Sequence, residues 1–350
     1  MNIAFIVHGI MGFPAGGFKI ILEYANRFSE CGNSVSIIMS QTCTRKKTNI
    51  AALLRYPYYK IRRMYSPKKW FNISDNIKIN YCFYIRERLI SDCNVIIATN
   101  VDSSYIVNRF KKDCKKYYFI QGFENWGVSE EFVLNSYKFP ITKIVIAPWL
   151  QKKVEDIGES AFYVPNAFDF NYFKKDMDIT ERNKFNILMM YHISEVKRCS
   201  DAIAALKIVQ EKYPKLHIAM FGQFDKPKDL PFEVEYYKSP GRELHNYLYN
   251  NASIYVAASS VEGWGLTVGE AMICGCAVVC TDNSGFTIMA KNGETALVSP
   301  VYDYKKLAEN IITLIENDEL RAFIANNANN KIKQYTWENS FNMFKSIVTQ

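Results

Sequence analysis

Residues 259–275 read SSVEGWGLTVGEAMICG, and two carboxylates, Glu262 and Glu270, stand on either side of a glycine-containing turn in this stretch. Gly263 and Gly265 admit turn conformations closed to other residues, and the run from Leu266 to Cys274 predicts a helix that begins directly after them. The first N–H groups of such a helix have no partner within it and lie at its positive end, which suits a phosphate. Glu270 falls about one helical turn beyond Leu266 on the same face, where a carboxylate can accept hydrogen bonds from a ribose diol. Glu262 precedes the helix and is expected on the sugar side. A phosphate flanked by hydroxyl-bearing groups on both sides describes a nucleotide sugar, the ligand expected here.

The longer stretch 262–285, EGWGLTVGEAMICGCAVVCTDNSG, resembles the E-x7-E segment of retaining glycosyltransferases of the group 1, family 4 type. That class includes sucrose synthase, bacterial glycogen synthase and the phosphatidylinositol mannosyltransferases. The likeness lies in the carboxylate spacing, both glycines, the small corner Cys274-Gly275-Cys276 and the apolar strand Ala277 to Cys280, which occur together. The resemblance implies an α/β chain of GT-B architecture, with two Rossmann-like domains facing across a cleft and a C-terminal helix crossing back to the first. It also implies retaining, metal-independent transfer of a hexosyl or deoxyhexosyl group from a nucleotide-diphosphate sugar to a glycan or lipid-linked saccharide acceptor. Similar enzymes act in bacterial cell-surface polysaccharide synthesis. In this reading Glu262 acts at the sugar, and Gly265, Leu266, Thr267 and Glu270 hold the nucleotide.

Outward from this segment, apolar strand-like runs alternate with helical patterns: NIAFIVH, a helix near 17–31, SVSIIMS, IKINYCF, NVIIAT, a helix near 103–111, KYYFIQ and KIVIAP. The second half repeats the logic with NILMMYH, a helix at 199–212, LHIAMFG, VEYYKS, a helix near 242–250, SIYVAAS, the Leu266 helix and CAVVCT. Such alternation predicts parallel sheets wrapped by helices. Two such units are expected, an acceptor-side domain over 1–163 completed by 336–350 and a nucleotide-sugar-binding domain over 164–335. The joint falls at Tyr163-Val164-Pro165-Asn166-Ala167, where proline and asparagine end a strand. Helical spacing continues through 303–317 and 320–334, and Trp337, Phe341 and Phe344 form an apolar stripe on a final helix.

Other segments add to the expected site. The loop from His8 to Gly17 joins the first strand to the first helix and admits close approach of a phosphate or sugar; the resemblance assigns Gly16 and Gly17 to the donor side. It lacks the G-x-G-x-x-G spacing of nicotinamide-binding folds. Residues 189–203, MMYHISEVKRCSDAI, resemble the family's G-R-x4-K loop, whose two cations hold the donor diphosphate. Lys197 falls on the lysine, His192 stands where arginine is usual, and Arg198 is the cation that could substitute. VPNAFDFNYF, 164–173, is similar to the segment opening the second domain, with Asn166 and Asp169 as turn formers. Many relatives carry a histidine near Gln121, which can hydrogen-bond hydroxyls but exchanges no proton, so Glu124 is the candidate for acceptor recognition or proton uptake, set against a plain surface glutamate. Trp126 and Trp149 either stack on sugars or pack in the core. Residues 221–222 and 236–241 are expected to line the base pocket.

At 350 residues and 49% hydrophobic content, the chain can build two cores. Nine scattered cysteines without a C-x-x-C pair fit reduced thiols, and with four histidines none of which adjoins a cysteine cluster, no metal or other cofactor is expected. No basic segment precedes an apolar core and no run of 18 apolar residues occurs, so the expected location is cytoplasmic. The net charge of +8 is concentrated: residues 41–74 hold nine Lys or Arg, no Asp or Glu, and six large aromatics, leaving the remainder near neutral. This composition suggests contact with an anionic membrane surface, at the inner face of the cytoplasmic membrane, or a solvated loop; no nucleic-acid module accompanies it. Two other function classes compete: a metal-dependent glycosyltransferase using Asp176-Met177-Asp178, which sits in a polar connection, and a non-catalytic GT-B-like binding or scaffold protein, motivated by His192 and Gln121.

Overall fold

The computed structural model describes residues 1–9, 14–40 and 66–350. Residues 10–13 of the first glycine-bearing loop and 41–65 of the basic segment lie outside the described residues. The chain divides into two compact units, 1–166 with 338–350, and 167–337.

Among the described residues of the first unit, seven strands form one sheet: β1 (Asn2–His8), β2 (Ser34–Ser40), β3 (Lys78–Cys82), β4 (Val95–Ala98), β5 (Lys115–Ile120), β6 (Thr142–Val145) and β7 (Ala161–Tyr163). Their order is β3-β2-β1-β4-β5-β6-β7, and neighbours run parallel. Strands buried on both faces need apolar side chains throughout, as in the wholly buried Val95–Ala98. Helices α1 (Gly16–Glu30), α2 (Val101–Asn108), α3 (Glu130–Tyr137) and α4 (Pro148–Glu155) follow strands in the manner of βαβ crossovers. The sequence reading had not marked α3 or α4, each eight residues long. Both carry start signals: the Ser129 side chain accepts from Phe132 N–H ahead of Glu130 and Glu131, and Pro148 stands at the first helical position.

The second unit holds β8 (Asn186–Tyr191), β9 (His217–Gly222), β10 (Glu235–Lys238), β11 (Ile254–Ala257), β12 (Ala277–Thr281) and β13 (Leu297–Ser299) in the order β10-β9-β8-β11-β12-β13, again parallel. Around it lie α5 (Cys199–Lys212), α6 (Arg242–Asn251), α7 (Leu266–Ile273), α8 (Tyr304–Glu316) and α9 (Asp318–Ile332). Ile187, Met189 and Val256 pack with Leu206 and Val209 of α5 and Ile311 of α8 in one core. Arg182 is buried without a carboxylate; its guanidinium donates instead to the carbonyls of Met177, Tyr249, Ala252 and Cys274. It thereby satisfies backbone acceptors at the carboxyl ends of α6 and α7, where a cation also complements the helix dipole.

The last helix, α10 (Trp337–Thr349), belongs to the first unit from Glu338 onward. Phe344 lies 4.4 Å from the Tyr24 ring and 5.2 Å from that of Phe119, Phe341 lies 5.0 Å from Phe28, and the Tyr117 hydroxyl donates to Ile347 O at 3.1 Å. The stripe seen in the sequence is thus packing. Among the described residues no helix is long and apolar enough to cross a membrane. Because Phe344 is fully buried among three other aromatics, Phe344→Ala should lower the stability of the first unit by about 3–5 kcal/mol. Urea unfolding followed through hydrogen exchange of β1 and β5 measures this; a loss below about 1 kcal/mol would show that the helix is only loosely attached.

Candidate functional site

In the second sheet the strand order reverses between β8 and β11: from β8 the chain proceeds to β9 and β10 on one side, and from β11 to β12 and β13 on the other. At such a switch point the two following loops diverge and leave a crevice outside the carboxyl ends of the strands. Here the loops are tied at their bases, since Ser260 donates to Val196 O through its backbone N–H at 2.8 Å and its hydroxyl at 3.2 Å. Lys197, after β8, therefore meets Glu262, after β11, with Nζ 2.7 Å from Oε1. The Ser259 hydroxyl donates to the same oxygen at 2.7 Å. The carboxylate is the less accessible partner, with 14% of its side chain exposed against 25% for the lysine. Two donors on one half-buried oxygen fix the carboxylate's orientation.

Asn283 secures this loop from below. Its Nδ2 donates to Ser259 O at 2.8 Å, and its Oδ1 accepts from Gly285 N–H at 3.1 Å and Phe286 N–H at 3.0 Å, while Thr281 Oγ1 donates to Ser259 O at 2.6 Å. The sequence reading singled out neither Asn283 nor Ser259. Both sit within or beside the quoted motif, but a buried asparagine bridging two loops has no spacing that announces it.

Helix α7 starts at Gly265, whose φ of +92° is open to glycine and whose Cβ, were there one, would lie 2.6 Å from Phe286 Cδ1. No side chain caps the helix, so the N–H groups of its first turn, at Leu266 and Thr267, face a half-exposed surface. At Gly269 the Phe168 ring lies so close that a Cβ would stand 2.0 Å from its Cζ. Glu270 follows on the next turn, and the buried Tyr249 hydroxyl donates to its Oε2 at 3.1 Å. Burial, and then the Glu270 charge, push the Tyr249 phenol well above its ordinary range, so it remains a donor. The Tyr172 phenol is also pushed up to about 12, by burial and then by Glu270. Tyr172 and Tyr249 were not singled out in the sequence, where aromatics near strand and helix ends carry no distinctive pattern.

His192 lies on the same edge. Its Nδ1 accepts from Ser194 N–H at 2.9 Å, which places the proton of the neutral ring on Nε2, and its ring meets Phe224 edge to face at 4.9 Å. Burial and the Lys197 charge hold its pKa below the usual imidazole value, with Glu262 pulling the other way. The ring is a neutral donor at neutral pH. Arg198 does not stand free to replace the missing arginine: its guanidinium makes a two-point pair with Asp201, at 2.9 and 2.7 Å, and lies 5.0 Å from the Tyr302 ring. Asp176 accepts from Asn246 Nδ2 at 2.7 Å, and Asp178 caps the turn 179–181 while pairing with Lys175 at 2.7 Å. Among the described residues no group of three or more His, Cys, Asp or Glu is placed to hold a metal. Asp169 forms the expected turn, accepting from Asn171 and Tyr172 N–H.

In the first unit, Gly16 and Gly17 begin α1, and the Gln121 carboxamide oxygen lies 3.5 Å from where a Gly17 Cβ would stand. Glu124 is more than a surface glutamate. Its Oε2 accepts from Val101 N–H at 2.6 Å, at the start of α2, where a carboxylate offsets the positive helix end. Trp126 is 59% exposed, and Trp149 is the second residue of α4.

Residues 173–331 match the family model described as glycosyl transferases group 1. The chain is 25% identical over 195 residues to the phosphatidyl-myo-inositol mannosyltransferase of Mycolicibacterium smegmatis, covering 53% of this chain and 50% of that one. It is 24% identical over 221 residues to the capsular polysaccharide biosynthesis glycosyltransferase CapM of Staphylococcus aureus, covering 57% of each. The matched region thus spans about half the length of these curated relatives. In three dimensions the chain is similar to sucrose-phosphate synthase from Thermosynechococcus elongatus, with a TM-score of 0.77 at 14% identity over 100% of this chain and 98% of that one. It is similar also to Anabaena HepE in complex with UDP-glucose, with a TM-score of 0.76 at 15% identity over 100% of both chains. The fold of the whole chain is therefore that of the GT-B glycosyltransferases, two parallel-sheet Rossmann-like α/β domains, and its segment 173–331 is similar in sequence to the glycosyl transferases group 1 family.

Proposed function

We propose that the protein transfers a hexosyl or deoxyhexosyl group from a nucleotide-diphosphate sugar to a glycan or lipid-linked saccharide acceptor, with retention and without a divalent metal, in cell-surface polysaccharide synthesis. The observation that carries this reading is the Lys197–Glu262 pair, 2.7 Å apart, beside the uncapped start of α7 at the sheet's switch point. The likeness to a capsular polysaccharide glycosyltransferase, and to a fold neighbour bound to UDP-glucose, supports it.

Transfer of this kind depends on stabilising the departing nucleotide diphosphate. The α7 amides and Lys197 supply that positive potential. An ammonium has three donors, so Lys197 can keep Glu262 and still reach a phosphate oxygen. Glu262, held by Lys197 and Ser259, orients the sugar and favours its cationic transition state, while Glu270, steadied by Tyr249, takes the ribose. His192 adds one neutral hydrogen bond. Glu124, on the acceptor side, either recognises the acceptor or takes its proton.

Three expected outcomes follow from these roles. Lys197→Ala should reduce donor turnover by about 10²-fold or more and Glu262→Ala should mainly lower transfer, whereas Glu270→Ala should weaken nucleotide binding by about tenfold. Calorimetric titration with nucleoside diphosphates and a donor-hydrolysis assay, run with and without chelator, separate these effects. Variants that bind and turn over donor like the parent would remove the site assignment. Activity lost in chelator and restored by manganese would favour Asp176 and Asp178 instead.

Before binding, the His192 pKa lies below the ordinary imidazole value; a diphosphate diester favours the protonated ring, so binding is linked to proton uptake as the pH falls through that lowered range. Since UDP-glucose has no group of its own titrating there, its affinity should rise by up to about tenfold between about pH 7.5 and 5.5, and His192→Asn should abolish the rise. A pH-independent affinity in the parent would place His192 out of reach of the diphosphate.

The charge of residues 41–74 supports contact with an anionic membrane surface carrying the acceptor, each engaged cation contributing up to about 1 kcal/mol. Within the described end of this segment, Lys68 is already paired with Asp75 at 2.7 Å. Reversing Arg62, Arg63 and Lys69 to glutamate should release the protein from phosphatidylserine vesicles at low salt while nucleotide binding stays intact. Equal sedimentation of parent and variant would remove the membrane role.

A further inference from the structure

The loop after β5 presents a tryptophan to solvent from a backbone that is pinned on both sides. Phe123 is buried, with its ring 6.5 Å from that of Tyr137 and the Lys153 ammonium 5.1 Å from its centre. Glu124 is held at the start of α2 by its 2.6 Å bond to Val101 N–H. The chain then turns, with Asn125 N–H donating to Phe123 O at 2.9 Å, Gly127 at φ +80°, and Ser129 capping α3. Between these anchors Trp126 remains 59% exposed, its Cη2 about 4.0 Å from where a Gly122 Cβ would lie. An indole held in water by a loop this constrained offers a rigid aromatic face of the kind on which ligands stack.

Its place in the fold indicates what covers it. The loop leaves the carboxyl end of β5, on the edge of the parallel sheet where α/β folds bind ligands, and Gln121 at its start lies against Gly17 at the start of α1. The Gln121 carboxamide oxygen is buried and has no hydrogen-bond partner among the described residues, an unmet acceptor that a hydroxyl donor would satisfy. An exposed indole on the loop that starts with this carboxamide suits a ligand with a C–H face and peripheral hydroxyls, that is, a pyranose ring.

We propose that Trp126 is the stacking platform for the terminal sugar of the acceptor, with Gln121 bonding one of its hydroxyls. This assignment deepens the glycosyl-transfer reading and rests on it. A sugar bound in this way is selected for a pyranose with one uninterrupted C–H face, and the platform sets acceptor affinity rather than donor binding.

The test uses the full chain labelled at the indole nitrogens, which gives five tryptophan signals. The signal missing in Trp126→Phe belongs to Trp126. Titration with the methyl α-glycosides of mannose, glucose, N-acetylglucosamine and rhamnose should move that signal with at least one of the four. Trp126→Ala should then weaken this glycoside about tenfold and Trp126→Phe by much less, with UDP affinity unchanged in both. A Trp126 signal unmoved by all four glycosides, or an affinity equal in parent and Trp126→Ala, would overturn the proposal. Failure of the parent to bind any nucleoside diphosphate would instead count against the proposed function, which the glycoside titration does not judge.

Discussion

The parallel pairing of β8 with β11 is the constraint on which the second unit's chemistry depends. A parallel pair sends both following loops to the same edge of the sheet, and at a reversal of strand order nothing lies between them. In register, Ile187, Leu188 and Met189 face Ile254, Tyr255 and Val256, so the residues that follow arrive at matching heights. The Ser260–Val196 bonds then set how far the loops separate. Lys197 and Glu262, 65 positions apart in sequence, meet because the sheet leaves them no other arrangement.

That meeting also resolves an electrostatic difficulty. Without a carboxylate partner, a lysine beside the start of α7 would face only positive potential. Glu262 supplies the opposite charge and takes one of the ammonium's three donors. The same economy appears at His192, where a neutral ring stands in place of a second cation, and at Arg198, whose charge is balanced by Asp201. Positive potential on this edge of the sheet therefore comes from few groups, the α7 amides and Lys197.

The fold was largely legible in the sequence because both sheets are parallel and buried: runs such as NIAFIVH and CAVVCT admit few readings once helical spacing separates them. The three-residue strand Leu297–Ser299 and the helices α3 and α4 escaped notice because each is short and lacks a clear apolar period, whereas the strand Ala161–Tyr163 was marked by the proline and asparagine that end it. Glu262, Glu270 and Lys197 stand out in the sequence through their residue types and spacing, and the fold brings Lys197 onto Glu262. Ser259, Asn283, Tyr249 and Tyr172 do not stand out, since they act on the glutamates or their loops through contacts that only folding creates. Glu124 shows the opposite case: the residue was visible, but its bond to the start of α2 depends on two loops from neighbouring strands coming together.

The contact between Phe168 and Gly269 bears on how such a chain can change over generations. The ring rests against Gly269, so α7 has no room for a side chain there while an aromatic occupies 168. A lineage could enlarge 269 only after shrinking 168, and the intermediate would carry a void under α7. Two positions distant in the sequence should therefore drift together or not at all, and where Phe168 is absent from a relative, the glycine within its E-x7-E segment should be free to vary.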